Sequence, residues 1–134
     1  MPVAQAQKEF TVNEALARID ALLHPAVEGE SDTPPAAPVD GECWIVGPYP
    51  AGEWAGHAEA VTCRQAGNWI FVSPNEGMKV FEKAAGVTAR YHGGWTRAAA
   101  VTEPSGGTTV DSEARSAIAA LIAVLAEARL ISVS

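Results

Sequence analysis

The hydrophobic positions repeat with a helical period at both ends of the chain and with a strand-like period between them. Thr11 and Glu14 form a capping box, and apolar residues then recur every three or four positions up to the next proline. This pattern predicts an N-terminal amphipathic helix that ends at His24-Pro25, because the residue before a proline disfavours the helical conformation. We expect the polar segment before it, residues 4–10, to become ordered only against a neighbouring protein.

The C-terminal pattern predicts a second amphipathic helix, capped by Asp111 or Ser112. Its apolar residues recur at the spacing of a coiled-coil seam, which is short and is widened by Ile122. The seam positions are Ala114, Ile118, Leu121, Leu125 and Ala128. We expect this helix to associate with copies of itself, as a homotrimer. Packing on the central domain or on the first helix are the alternatives.

Between the helices, short β-prone runs are separated by turn residues up to about residue 100. They recur at spacings of roughly 8–12 residues, which is typical of small antiparallel domains. The sequence therefore predicts an α+β fold, in which a small antiparallel β-domain (a sheet, a sandwich or a barrel) is flanked by two helices.

Two segments without apolar periodicity predict linkers. One is rich in prolines and acidic residues, and the other contains the "PSGG" stretch. The predicted parts are an N-terminal segment with its helix (1–27), a proline-rich linker (28–42), the central β-domain (43–101), a second linker (102–110) and the C-terminal oligomerisation helix (111–134).

The net negative charge argues against nucleic acid as a partner. The 134 residues carry a net charge of −7, whereas nucleic-acid binding calls for clustered Lys and Arg.

The first residues lack the apolar stretch of a secretory signal, so we expect synthesis in the cytoplasm. No run is apolar and long enough to span a bilayer, so we expect no membrane insertion.

The two cysteines, Cys43 and Cys63, do not form a C-x-x-C pair. We expect two buried free thiols. A disulfide is the less favoured alternative, because a reducing compartment opposes it. A metal site would need further ligands close by.

Catalytic chemistry has little support in the sequence. The histidines and glycine-rich stretches match no metal, nucleophile or phosphate-binding motif, so we expect no enzymatic activity, no cofactor and no metal. A small hydrolase acting on capsule or peptidoglycan is a rival that would need clustered carboxylates. The candidate acids lie on different predicted turns and strands; they are Glu53, Glu59, Glu76 and Glu82.

Every tryptophan follows a glycine by one to three positions. The pattern favours a turn permitted by glycine, followed by an aromatic anchor for the next strand. Apolar residues directly follow Trp44 and Trp69, which predicts that both are in the core. A second interpretation is a glycan-binding face, because sugar rings stack on exposed aromatic rings. The candidates for that face are Trp54 with Tyr49, and Trp95 with Tyr91.

Several phrases along the chain resemble domain-of-unknown-function family 2793. They are "AQAQKEFTVNEALARIDALL", "GECWIVG", "GEWAGH", "GNWIFVSP", "NEGMKVF" and "VDSEARSAIAALIAVL", in that order. The resemblance implies association with tailed-phage structural genes, prophages and gene transfer agents. It implies a virion component such as a tail fibre, baseplate or head spike, with other virion proteins and possible host surface polysaccharide as partners. It carries over no catalytic residues.

Overall fold

The strand-like middle of the sequence folds into two four-stranded sheets, with one helix at each end of the chain. The computed structural model describes residues 3–23 and 25–133. The elements are α1 (Val3–Leu23), β1 (Ala26–Val27), β2 (Glu30–Ser31), β3 (Cys43–Val46), β4 (Val61–Gln65), β5 (Asn68–Val72), β6 (Lys79–Glu82), β7 (Val87–Tyr91), β8 (Trp95–Arg97) and α2 (Ser112–Glu127). The predicted α+β fold is confirmed.

Six of the eight strands form two antiparallel meanders, β3-β4-β5 and β6-β7-β8. The two short strands make each sheet mixed, because β1 pairs in parallel with β6 and β2 pairs in parallel with β3. The chain passes from one sheet to the other between β1 and β2. The strand orders are β1-β6-β7-β8 and β2-β3-β4-β5.

The segment expected to be a linker, residues 28–42, is tied to the sheets instead. The Glu28 amide donates to the Cys43 carbonyl at 2.8 Å, and the Gly41 amide donates to the Arg64 carbonyl at 2.7 Å. Strand β2 also lies within this segment. A two-residue strand is too short to show alternation, so the sequence pattern gave no sign of it. The segment is therefore not a free spacer between the helix and the sheets.

The main core lies between the two sheets and draws residues from five strands. Its buried members are Val27, Ile45, Val61, Val80 and Ala89. Successive side chains of a strand point to opposite faces, so Trp44 and Val46 face away from this core. They join a second cluster with the buried residues Trp54 and Ala60 on the outer face of the β2-β3-β4-β5 sheet.

Cys43 and Cys63 form a disulfide. The expectation of two free thiols is therefore wrong. The two residues lie directly opposite each other in the β3–β4 register, and directly opposed residues point to the same face of a sheet. Their separation along the chain carried no sign of that register.

Helix α1 begins at Val3, well before the predicted capping box. The Thr11 hydroxyl donates to the Gln7 carbonyl at 2.9 Å, which is a bond inside a helix and not a cap. Residues 4–10, expected to be ordered only against a neighbour, are thus the first turns of the helix. The predicted end at His24 lies outside the described residues. Neither helix in the described ranges combines the length and hydropathy needed to cross a bilayer.

Helix α2 has the predicted N-cap, because the Asp111 carboxylate accepts from the Ala114 amide at 2.9 Å. After α2 the chain returns to the β1-β6-β7-β8 sheet. The Arg129 carbonyl accepts from the Thr88 amide at 3.2 Å, and Ile131 is buried. The C-terminal segment therefore belongs to the folded body, although the segment before α2 is exposed.

Candidate functional site

Trp54, the first glycan-stacking candidate, is completely buried, with 0 % exposure. Its ring lies 6.3 Å from that of Trp44 and meets Trp69 edge to face at 5.2 Å. A short 3-10 turn (Gly52–Trp54) folds the ring back over the sheet. Because neither ring face is open to solvent, Trp54 is a core residue and cannot stack a sugar.

Tyr49, its predicted companion, is 80 % exposed in a loop between two prolines. The Tyr49 amide donates to the Asp32 carboxylate at 3.0 Å, which fixes the loop. A Cβ atom at Gly47 would overlap the same carboxylate, so the loop requires glycine there. Tyr49 is therefore an isolated exposed aromatic on an ordered loop, while Trp54 lies in the core.

Tyr91 and Trp95, the second candidate pair, form an edge-to-face contact at 5.4 Å across the β7–β8 hairpin. Both polar atoms bond Glu59: the Tyr91 hydroxyl donates to its carboxylate at 2.9 Å, and Trp95 Nε1 donates to its carbonyl at 2.8 Å. The hydrogen bond to Glu59 raises the pKa of Tyr91. Glu59 itself has φ of 64°, a conformation that favours glycine. The half-buried pair thus holds the chain before β4 against the hairpin.

The four candidate acids each bond a different partner. Glu53 accepts from Trp69 Nε1 at 3.0 Å, Glu59 from Tyr91, Glu76 from His92 and Glu82 from Arg97. In residues 3–23 and 25–133, no three His, Cys, Asp or Glu side chains form a group that could hold a metal ion.

Glu76 bonds two groups of the β7–β8 turn. One carboxylate oxygen accepts from the Gly93 amide at 2.8 Å, and the other lies 2.8 Å from His92 Nδ1. Two hydrogen bonds lower the pKa of Glu76. The bond from the Gly93 amide has the larger effect, and the bond from His92 has the smaller one. The pair closes the β7–β8 turn onto the turn before β6 and is solvent-exposed.

The predicted seam of α2 is exposed along its length. Leu121 is 64 % exposed, and Ala114, Ile118, Leu125 and Ala128 are exposed as well. The half-buried positions are Arg115, Ala119, Ile122 and Ala126, which share another side of the helix. Ile122, predicted to widen the seam, therefore lies on the more protected side.

Helix α1 also exposes an apolar seam. Its only substantial contact in the described structure is with β5, and it has no buried residue. Its most apolar positions in the second half point to solvent; they are Val12, Leu16, Ile19 and Leu23. The spacing of four, three and four is again that of a coiled-coil seam.

A groove of about 1000 Å³ lies between α1 and β5, and we name it the α1–β5 groove. Trp69 and Phe71 of β5 line it, together with His57, whose ring stacks on Phe71 at 3.6 Å with 6° between the planes. Alternation along β5 already places Trp69 and Phe71 on one face. Nothing in the sequence indicates that α1 lies beside them, so sequence reasoning missed this groove.

A family model described as "Protein of unknown function (DUF2793)" matches residues 12–96. That range contains most of α1, the two core clusters and nearly all of both sheets, and it leaves out α2. No curated protein matches the chain.

Proposed function

The chain belongs to the DUF2793 family, and we propose that it is a structural component of a tailed phage or phage-like particle. In this role the paired sheets are the folded body, and the helices connect it to copies of itself and to other virion proteins. A tail fibre, a baseplate and a head spike are the locations that the family resemblance implies. The chain itself would be made in the host cytoplasm and act in the particle.

The observation that supports an assembly role is the exposure of both helical seams. Leu16 of α1 and Leu121 of α2 are 57 % and 64 % exposed. Contiguous exposed apolar surface marks interaction sites, and helices gain most of their stability from packing an apolar face. Each seam is short, so it needs a partner helix. For α2 we propose copies of the same helix, in a homotrimer.

The test is to locate the protein in intact particles. Particles from the parent host or phage are purified on a density gradient, analysed by mass spectrometry and labelled with antibody-gold. We expect the protein in the particle fraction, at a head vertex or in the tail. Its absence from intact particles would contradict the proposal.

A second candidate is a carbohydrate-binding module that recognises host capsule or surface polysaccharide. The observation that favours it is the exposure of Tyr49, which an ordered loop presents to solvent. The burial of Trp54 and the internal bonds of Tyr91 and Trp95 remove the other predicted residues from a simple stacking role. Tyr49 alone is a weak platform, so the assembly role is our first proposal.

A further inference from the structure

We propose that the α1–β5 groove binds an extended peptide segment of a partner protein, which adds to the free edge of β5 as a further strand of the sheet. The inference does not depend on a role in a phage-like particle, because the isolated chain carries both the groove and the edge. Its test and the particle test can therefore fail independently.

The edge formed by β5 differs from the other sheet edges. The other edge strands are β1, β2 and β8, which have only two or three residues each, and β2 and β8 contain the charged residues Glu30 and Arg97. Strand β5 has five residues, Asn68–Val72, with no charge and no proline. Short or charged edge strands resist the addition of another strand, whereas a longer uncharged edge is a template for it. Among these edges, β5 is therefore the one suited to accept a strand.

The backbone of β5 has free bonding groups on the side away from β4. Arg64 of β4 lies opposite Trp69, and its amide donates to the Glu42 carbonyl on the β3 side at 2.8 Å. Because bonded and non-bonded pairs alternate along an antiparallel ladder, Trp69 and Phe71 turn their amides and carbonyls to the free edge. Within the part of the chain that the structure describes, no hydrogen bond reaches these outward groups.

The groove reaches this edge. Its lining includes Ile70, whose side chain lies on the opposite face of β5 from Trp69 and Phe71, so the groove spans the edge between the two faces. The two aromatic rings offer little free surface, because His57 stacks on Phe71 and the Arg64 guanidinium lies over the Trp69 ring at 5.2 Å. The feature that β5 still offers to a ligand is therefore its backbone.

The position of α1 limits what can occupy the edge. Helix α1 contacts β5 and forms the opposite wall of the groove, whose volume of about 1000 Å³ leaves room for a short extended chain. A second copy would have to bring a four-stranded sheet and its own helix into this space. A single extended segment needs no such room, and its main chain supplies the bonds that strand addition requires.

The side chains of the groove indicate the chemistry of the peptide. The apolar residues of the α1 wall are Phe10, Leu16 and Ala17. They favour a peptide with apolar residues at alternate positions, which share one face of a strand. Glu14 and Asp20 outnumber Arg18 on the same wall, and the whole chain carries a charge of −7. Basic residues at the ends of the peptide are therefore favoured.

The probe is a labelled peptide with this pattern, acetyl-KTVTVTVK-amide, and its binding to the full chain is measured by fluorescence anisotropy. Two further probes carry N-methyl groups either on every valine or on every threonine. N-methylation removes the amide donor of a residue. Because the amides of successive residues in a strand point to opposite sides, only one of the two methylated sets would face β5.

A variant of the protein tests the same bonds from the other side. Ser73 is exposed, lines the groove and directly follows β5. Alternation turns its amide to the same side as that of Phe71, and Ser73→Pro removes this amide donor. The matched control is Ser73→Ala, which keeps the amide and loses only the hydroxyl. Circular dichroism and thermal unfolding check that both variants are folded.

We expect saturable binding of the unmethylated probe. Methylation of one set should abolish binding, and methylation of the other should leave it nearly unchanged. Ser73→Pro should weaken binding roughly 3- to 10-fold, as the loss of one hydrogen bond does, whereas Ser73→Ala should bind like the unchanged chain. Failure of the unmethylated probe to bind, or equal effects of the two methylations, overturns the proposal. So does a lower mass in sedimentation velocity for Ser73→Pro than for Ser73→Ala without peptide, because a second copy would then occupy the edge.

Discussion

Arg97 of β8 and Glu30 of β2 form a 2.7 Å ion pair that joins an edge strand of one sheet to an edge strand of the other. The same guanidinium donates to Glu82 of β6, which is buried. Partial burial alone would lower the pKa of Arg97, but the hydrogen bonds to Glu82 and Glu30 outweigh it and keep that pKa raised. Arg97 is thus a charged link between sheets whose main contact is apolar.

Arg97→Met should lower the free energy of unfolding by about 1–3 kcal/mol, because it leaves the buried Glu82 carboxylate without its cation. Methionine keeps much of the apolar stem, so the change chiefly removes the charge and its bonds. Arg90→Met is the matched control, since Arg90 is exposed on β7. The free energies of unfolding of both variants are measured by urea unfolding, with tryptophan fluorescence as the signal. Equal losses in the two variants would contradict the role of the link.

The Cys43–Cys63 disulfide should stabilise the fold. Replacing both cysteines by serine should reduce the free energy of unfolding by about 2–4 kcal/mol, chiefly because the unfolded chain is no longer constrained. A reductant should shift the unfolding midpoint of the unchanged chain and leave that of the double variant where it is. Two free thiols titrated in the unfolded, unreduced chain would restore the original expectation of unpaired cysteines.

Glu76 predicts an acid-dependent contribution to stability. Its pKa in the folded chain lies below the ordinary value of 4.5, so its contribution is present above pH 4.5 and is lost as the pH falls through the folded value. Glu76→Gln should therefore be less stable than the unchanged chain near neutral pH, and the difference should shrink on acidification. Thermal unfolding of the unchanged chain and of the Glu76→Gln variant, measured at a series of pH values from 7 downwards, tests this difference in stability.

Glu103→Gln is the control for that series, because Glu103 is an exposed acid in the segment before α2. The thermal stability of this variant should equal that of the unchanged chain at every pH. A difference for Glu76→Gln that stays constant through the acid range would show that the Gly93 and His92 bonds do not depend on the charge.

The sequence predicted the elements whose pattern is local. The β-prone runs after residue 43 do form strands, both helices occupy regions of helical spacing, although α1 starts earlier than predicted, and Asp111 caps α2 as expected. The Thr11 capping box predicted the wrong start for α1. The helix continues upstream past Gln7, and a local capping pattern cannot exclude helical residues before it.

What the sequence could not predict depends on register and on long-range contact. Strand β1 shows no alternation because it has two residues, and it exists only through its parallel pairing with β6. Trp54 and Trp95 follow glycines in the same way, yet the first is buried by a turn that folds back over a sheet and the second is half-buried on a hairpin. The α1–β5 groove joins residues far apart along the chain, so no local pattern marks it.

The seam of α2 gives the most direct test of self-association. Leu121→Glu places a charge in the middle of the exposed seam, where association would bury it at a cost of several kcal/mol. Ala123→Glu adds the same charge at an exposed position of α2 outside the seam and is the matched control. Sedimentation velocity should find the unchanged chain and the Ala123→Glu variant as trimers and the Leu121→Glu variant as monomers. Because Leu121 is already exposed in the single chain, the change should leave the fold of the monomer intact, so a lower mass would report lost association. A monomeric unchanged chain, or equal masses for both variants, would contradict assembly through this helix.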